Sequence, residues 1–384
     1  MEPAEGGADT LRARHLIRPA APGDAQRQME GTPMGTSTQQ HPMTPVAPPS
    51  LINGLYTPDE VEALFGFIRR GAPWQLVLAH HFSSTEEYLA ISGARDRNPH
   101  ARLADFTAPV FRGYLAKEGI VMDEAIHEIY FSRKLLDPVK HMHGARYGFA
   151  HHMLFNTGGP SHSFDAGHFD GRNWRGRGLI NTPVWLMGVM AKSGLFDAWE
   201  VKTGQVITYF YDSDIDGGFT YWPEGPDRAP SRFRAPFRNT AILTDNSRMY
   251  HRREGNGPRD RRDLPGLEMH SLLHRHNDEW VIRNGDTEIA RYGDAQSRTL
   301  FHYTALVFDD AAEVNRYLDH TDDLSLETVF DMLLADLRTR GIVCSEPTDP
   351  ITDPAFIALL TETYAMAPHE YPADAPLDVP ASWP

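Results

Sequence analysis

Between His151 and Phe308 the chain is built from short apolar or aromatic runs, each cut off by Gly, Pro, Asn or Asp. The runs include His152–Phe155, Val184–Met190, Gln205–Tyr211, Phe219–Trp222, Thr240–Leu243, Trp280–Arg283 and Thr299–Phe308. Turn signals stand at Gly158-Gly159, Asp216-Gly217-Gly218 and Asn284-Gly285. Runs this short are the grammar of strands, because a strand presents a face with only a few alternating residues. The segment predicts about ten short strands flanked by helices, a β-sandwich or jelly-roll barrel. No strand–helix alternation supports a doubly wound sheet. The chain has no GxGxxG, P-loop or GxSxG motif, and His127-Glu128 lacks the second histidine of HExxH.

The flanks have a different character. Thr57-Pro58-Asp59-Glu60 supplies an N-cap, an N1 proline and a capping-box glutamate ahead of Val61, Leu64, Phe65 and Ile68, so a helix is predicted up to Gly71. A second helical region is predicted over Ala108–Lys117. A third follows His320, with Ser325 ahead of Val329, Leu333, Leu334 and Leu337 and a stop at Gly341. Residues 1–50 hold eight prolines and no Phe, Trp or Tyr, which predicts a disordered leader. Residues 372–384 repeat proline at every fourth position and read as an extended tail. A single domain is therefore expected over 51–371, with its β core at about 151–308.

Composition narrows the function. The chain is 41% hydrophobic and 10% aromatic, enough for a sizeable core. Its net charge of −15 argues against nucleic acid or an anionic membrane surface as a partner. The longest apolar stretch, near Pro183–Ala191, is too short to span a bilayer. A single cysteine, Cys344, rules out a disulfide scaffold or a multi-cysteine metal site and fits a reducing, cytoplasmic compartment. The N-terminus has no apolar signal core, and its acidic residues oppose a transit peptide.

Nineteen histidines invite a metal reading, but chance alone gives about 1.5 His-x-Asp triplets in a chain of this composition. Three occur: His168-Phe169-Asp170, His276-Asn277-Asp278 and His320-Thr321-Asp322. Context separates them. The second sits in a polar turn and the third leads into a helix. Only the first lies in the β-rich region with a strand-borne histidine downstream, His251 in Met249-Tyr250-His251-Arg252. Residues i and i+2 of a strand share a face, so His168 and Asp170 can project together into a barrel and His251 can join them from a facing strand. Two imidazoles and one carboxylate on one face of an octahedral ion form the facial triad of non-haem Fe(II) sites, with three cis positions open.

The stretch from Leu154 to Gly257 resembles the core of the Fe(II)/2-oxoglutarate-dependent oxygenases. Its markers run in order: Leu154-Phe155-Asn156-Thr157-Gly158-Gly159-Pro160, Gly167-His168-Phe169-Asp170-Gly171, Asn173-Trp174-Arg175-Gly176, Gly217–Gly225, Asn239-Thr240-Ala241 and Asp245–Arg253. The resemblance implies a double-stranded β-helix, a jelly roll of the cupin-like kind. It implies His168, Asp170 and His251 as metal ligands and catalytic residues, Fe(II) as the metal and 2-oxoglutarate as co-substrate. The implied reaction takes O2, releases succinate and CO2, and oxidises a small organic molecule, hydroxylation being the default. Halogenation is disfavoured, because Asp170 fills the position a halide needs.

The resemblance also implies a basic residue for the distal carboxylate of 2-oxoglutarate, and arginine's planar fork suits it. Arg298 opens a convincing strand and becomes that anchor if Glu279–Tyr292 is an inserted hairpin. Arg261 and Arg262, with Arg259, follow His251 more closely in a loop-like run. Asn156 and Arg175 flank the triad and are candidates for co-substrate or substrate contacts. His141 and His143 are expected to be structural, and His151 and His152 to be core or surface residues, with one of the pair facing the pocket as the alternative. Trp174, Trp185, Tyr209, Tyr211, Tyr221 and Trp222 are core or pocket aromatics. Two other classes remain: a cupin-like metal enzyme that does not use 2-oxoglutarate, and a non-catalytic β-barrel binding protein.

Overall fold

A computed structural model describes residues 43–86, 88, 103, 108–161, 167–213, 217–257 and 264–365. Residues 1–42 of the expected leader, the tail at 372–384, and Arg259, Arg261 and Arg262 lie outside the described residues. The elements are β1 (Ser50–Asn53), α1 (Pro58–Gly71), β2 (Trp74–Leu76), β3 (Val110–Lys117), β4 (Ile120–Val121), α2 (Arg133–His143), β5 (Tyr147–Gly158), β6 (Asn173–Trp174) and α3 (Val184–Ser193). They continue with β7 (Glu200–Tyr211), β8 (Phe219–Trp222), β9 (Ser231–Phe233), β10 (Phe237–Thr244), β11 (Tyr250–Arg253), β12 (Leu272–His276), β13 (Glu279–Asn284), β14 (Thr287–Gly293) and β15 (Arg298–Phe308). The helices α4 (Ala311–Leu318), α5 (Leu326–Thr339) and α6 (Pro354–Thr363) follow.

The strands form two antiparallel sheets. The larger runs β1-β10-β7-β15-β5-β3-β2-β12-β13-β14, and the smaller runs β11-β8-β9, with His168 bridged to His251 at the β11 edge. From β5 onward the chain alternates between them. β5 lies in the large sheet and His168 at the small one; β7 is large, β8 and β9 small, β10 large, β11 small and β15 large. That alternation is a double-stranded β-helix, and it closes a barrel whose two walls face each other.

Strand periodicity decides which residues see the barrel. On β7, β15 and β5 the inward set is Ile207 and Tyr209, then Leu300 and His302, then Leu154 and Asn156, which lie side by side in the ladder. Ile207, Tyr209, Phe219, Tyr221, Ile242 and Leu300 pack between the sheets. The opposite face of the large sheet carries Phe155, Val206, Phe301 and Tyr303, covered by Leu64 and Ile68 of α1 and Leu135 and Val139 of α2. A second core gathers α3, α5 and α6 around Leu186, Val189, Leu333 and Leu360.

The helix start at Thr57 forms as expected, with the Thr57 hydroxyl accepting from Glu60 N at 3.3 Å and Thr57 N donating to the Glu60 carboxylate at 2.7 Å. Ser325 caps α5 with its hydroxyl accepting from Thr328 N at 3.0 Å. Two secondary-structure expectations are corrected. Ala108–Lys117 is not helical: Val110–Lys117 is β3, hydrogen-bonded between β2 and β5. Its Phe111 and Leu115 go to the core, while Arg112 and Tyr114 take the other face, a period of two. Val184–Met190 is not a strand but the first two turns of α3, buried on nearly all sides by α5 and α6. A continuous apolar run carries no period, so strand and buried helix look alike in it. Residues 43–50, assigned to the leader, are packed in part: Met43 is buried, Val46 N donates to Asp245 at 3.1 Å, and Ser50 begins β1.

Candidate metal centre and pocket

The site is assembled by backbone zippering. His168 N donates to His251 O at 2.8 Å and His251 N returns to His168 O at 3.0 Å. Asp170 N donates to Asn246 O at 3.0 Å. The turn that delivers β11 is tied down by Asn246 N donating to Gln205 at 2.9 Å and Ser247 Oγ donating to Asp245 at 2.8 Å. Gly167, at φ +101°, starts this segment where a Cβ would stand 2.6 Å from the Tyr250 ring, so only glycine fits.

His168, Asp170 and His251 thereby converge. One donor atom from each lies within 4.8 Å of the others. Asp170 Oδ1 is 3.5 Å from His168 Nε2 and 3.6 Å from His251 Nε2. His251 Nδ1 lies 2.9 Å from Met249 O, a carbonyl that can only accept, so Nδ1 carries the proton and Nε2 keeps its lone pair for the centre. Burial alone would push the Asp170 carboxyl up, but the imidazoles of His251, His168 and His302 hold it well below the usual carboxylate range. Asp170 Oδ2 is buried without a hydrogen-bond partner, and so is His302 Nε2, 4.0 Å away. Orphaned polar atoms at this density are expensive to bury, and a divalent cation would satisfy the carboxylate. The donor set, two imidazole nitrogens and a carboxylate, fits Fe(II) with an open side.

The barrel holds two further cations, neither paired with a carboxylate within 4 Å among the described residues. Arg298, at the first position of β15, is 5% exposed. Its Nε donates to Gly217 O at 2.9 Å and Nη2 to Gly218 O at 3.3 Å, and its guanidinium stands 4.9 Å over the Tyr209 ring. Burial pushes the Tyr209 hydroxyl up to about 12. Tyr209 pairs with Leu300 in the ladder and packs between the sheets, so this pair faces the barrel interior. The inserted hairpin that the Arg298 assignment required is present as β13–β14.

The second cation is Arg112 of β3. Its Nε donates to Asn156 Oδ1 at 2.8 Å and its Nη1 to His81 Nε2 at 3.1 Å. Arg112 pairs across the ladder with Asn156, which pairs with Leu300, which pairs with Tyr209. Asn156 is thus at the site, but held by Arg112. His152, one of the His151-His152 pair for which a pocket-facing place was the alternative to core or surface, shares this face, bonded to Thr304 Oγ1 at 2.9 Å, with its ring 6.0 Å from that of His302.

Arg175 is elsewhere: it forms a two-point pair with Asp322 at 2.7 and 3.0 Å and bonds Ala198 O. Trp174 and Trp185 belong to the helical core. His143 bonds Thr203 O at 3.1 Å, a structural role. The sequence reading missed His302 and Arg112. His302 was within reach, since it lies four residues beyond Arg298 on one strand and therefore on the same face. Arg112 was hidden by the helical reading of its strand.

No protein-family model matches the chain, and no curated protein matches it. Solved structures do. An oxidoreductase of the 2OG-Fe(II) oxygenase family from Burkholderia pseudomallei is 14% identical and covers 66% of this chain and 93% of its own, at a TM-score of 0.31. A Pseudomonas putida prolyl-4-hydroxylase is 9% identical over 68% and 92%, at 0.32. The non-heme alpha ketoglutarate dependent carbocyclase SnoK from nogalamycin biosynthesis is 11% identical over 72% and 88%, at 0.36. This chain is similar to these 2-oxoglutarate oxygenases at a distance.

Proposed function

We propose that this protein is an Fe(II)- and 2-oxoglutarate-dependent oxygenase that oxidises a small organic molecule, with hydroxylation as the default outcome, in a reducing, cytoplasmic setting. One observation carries the reading: His168, Asp170 and His251 meet inside a double-stranded β-helix with Asp170 Oδ2 unpaired.

In this reading His168, Asp170 and His251 hold Fe(II), and the metal with its co-substrate supplies activation of O2, with loss of CO2 and formation of succinate. The protein's own part is positional. Met249 O orients His251, and the backbone pair between His168 and His251 fixes the distance between the two imidazoles. Arg298 receives the distal carboxylate of 2-oxoglutarate. Its guanidinium is already aligned by two backbone carbonyls and Tyr209, so little side-chain freedom is lost on binding. The apolar wall of Ile207, Phe219 and Leu300 keeps water from that end of the barrel.

The test is anaerobic visible spectroscopy of the full chain, titrated with Fe(II) and then 2-oxoglutarate. The expected result is a weak charge-transfer band that needs both additions. In Arg298→Ala the band should demand at least tenfold more 2-oxoglutarate. Tight metal binding without the band would overturn the reading in favour of a cupin-like metal enzyme. No metal binding would leave a non-catalytic barrel.

A further inference from the structure

Arg112 is unexplained by the metal centre or by the co-substrate anchor. It lies on β3, two strands from Arg298 in the large sheet and on the same inward face. Strand spacing and rise put the two Cα atoms roughly 12 Å apart. Arg298 sits beside Tyr209 at the β7 side, whereas Arg112 sits beyond Asn156 at the β3 side. The two cations therefore stand on one face of the large sheet, two strands apart.

The groups that bond Arg112 carry no charge to answer its own. Nε donates to Asn156 Oδ1, Nη1 to His81 Nε2, and the Tyr114 hydroxyl is a third neutral partner. An arginine can only donate, so His81 Nε2 must be unprotonated there. Tyr114 lies two residues along the same strand face, its ring T-shaped to His80 at 5.9 Å. Asp170 is the carboxylate whose charge reaches Arg112, and Asp170 is committed to the metal. His302 Nε2, which also feels Arg112, has no hydrogen-bond partner. A half-buried cation whose planar donor fork meets only neutral partners matches a ligand carboxylate.

We infer that Arg112, positioned by Asn156 and His81, binds the carboxylate of the organic substrate, so that the substrate class is a carboxylic acid held between β3 and the metal. The inference rests on the proposed oxygenase reading, whose co-substrate end is Arg298. The aromatic flank of Tyr114 and His80 suits an unsaturated or ring-bearing body behind the carboxylate.

The experiment uses phenylacetate as probe and phenylacetamide as its uncharged counterpart, titrated calorimetrically into the metal-free full chain. Phenylacetate should bind at least tenfold more tightly than phenylacetamide. That preference should vanish in Arg112→Gln, recover in part in Arg112→Lys, and persist in Arg298→Gln. Heat-shift of each variant with Mn(II) shows that it is folded. A second titration adds saturating Mn(II) and 2-oxoglutarate first, and phenylacetate should still bind. If 2-oxoglutarate displaces phenylacetate one for one, Arg112 serves the co-substrate and the inference is overturned. Equal binding of the two probes, no saturable binding, or a preference unchanged in Arg112→Gln overturns it as well. Failure of 2-oxoglutarate to bind with Mn(II) would instead count against the oxygenase reading, because the first titration contains neither.

Discussion

Asp170 joins two imidazoles through one oxygen and leaves the other unpaired, so its removal should be felt first in metal affinity. Asp170→Asn keeps the shape and loses the charge, and Mn(II) affinity measured by calorimetry should fall at least tenfold. Unchanged affinity would remove Asp170 from the ligand set. The histidines behind it make a second, pH-dependent prediction. Burial holds His302 and His81 down to about 4, below the usual imidazole range. The folded chain keeps both neutral where the unfolded chain takes up protons. Their contribution to stability is therefore complete above about pH 6.5 and is lost as pH falls towards 4. For His302 the loss is on the order of 2–3 kcal/mol; for the more open His81 it is smaller. Asp170 works in a lower window, since its depressed pKa gives a contribution that is present above the carboxylate range and lost progressively as pH falls through and below it. Urea midpoints of the metal-free protein should drop between pH 6.5 and 4.5, and His302→Gln should flatten that drop. An equal slope in the variant would mean that His302 is not buried neutral. At this scale much of the site was legible. The i, i+2 spacing of His168 and Asp170 and a strand-borne His251 were enough, because strand parity is a local property. Arg112 and His81 were not, because what joins them is a side-chain bond between segments 31 positions apart.

Elements were legible where their punctuation is local. The Thr57 capping box, the Ser325 cap and the Asn284-Gly285 hairpin are each encoded within a few residues, and each formed. Two failed where the environment decides. Val110–Lys117 alternates but is short, and only its neighbours β2 and β5 make it a strand. Val184–Ser193 is apolar all round and becomes a helix because α5 and α6 surround it. The turn after β7 is where an element reaches into the chemistry. Gly217 has φ +80° and a Cβ there would lie 2.3 Å from the Tyr211 ring, while one on Gly218 would lie 2.6 Å from Glu254 Oε2. These glycines offer the carbonyls that align Arg298. Gly217→Ala should therefore cost about 1–3 kcal/mol of stability and raise the 2-oxoglutarate requirement several-fold, with Mn(II) affinity unaltered. A change in Mn(II) affinity of the same size as that in 2-oxoglutarate would show that the turn supports the whole barrel and not the anchor.

At the scale of the molecule the ligands come from one wall. His168, Asp170 and His251 all belong to the small-sheet edge and its approach, while Arg298, His302 and Arg112 belong to the large sheet opposite. A bound metal thus locks the edge of the small sheet, held in the metal-free chain by two backbone hydrogen bonds between His168 and His251 and one from Asp170 to Asn246. The large sheet is anchored separately by α1 and α2, with Leu64, Ile68, Leu135 and Val139 fully or almost fully buried. Metal binding should stabilise the fold by mass action alone, by about 2.7 kcal/mol at a free concentration of a hundred times the dissociation constant. With an unfolding entropy of about 2.1 cal/mol/K per residue over roughly 320 residues, that gain corresponds to an upward shift of about 4 °C in Tm. Asp170→Asn should lose the shift at the same Mn(II) concentration. Thr57→Ala, about 1 kcal/mol less stable through its lost cap, should keep it in full, because α1 lies on the far face of the large sheet. A shift that survives in Asp170→Asn would place the stabilising ion somewhere other than the triad. A shift that shrinks in Thr57→Ala would mean that the two faces of the large sheet are energetically one unit and that the metal centre is coupled to the helical layer behind it.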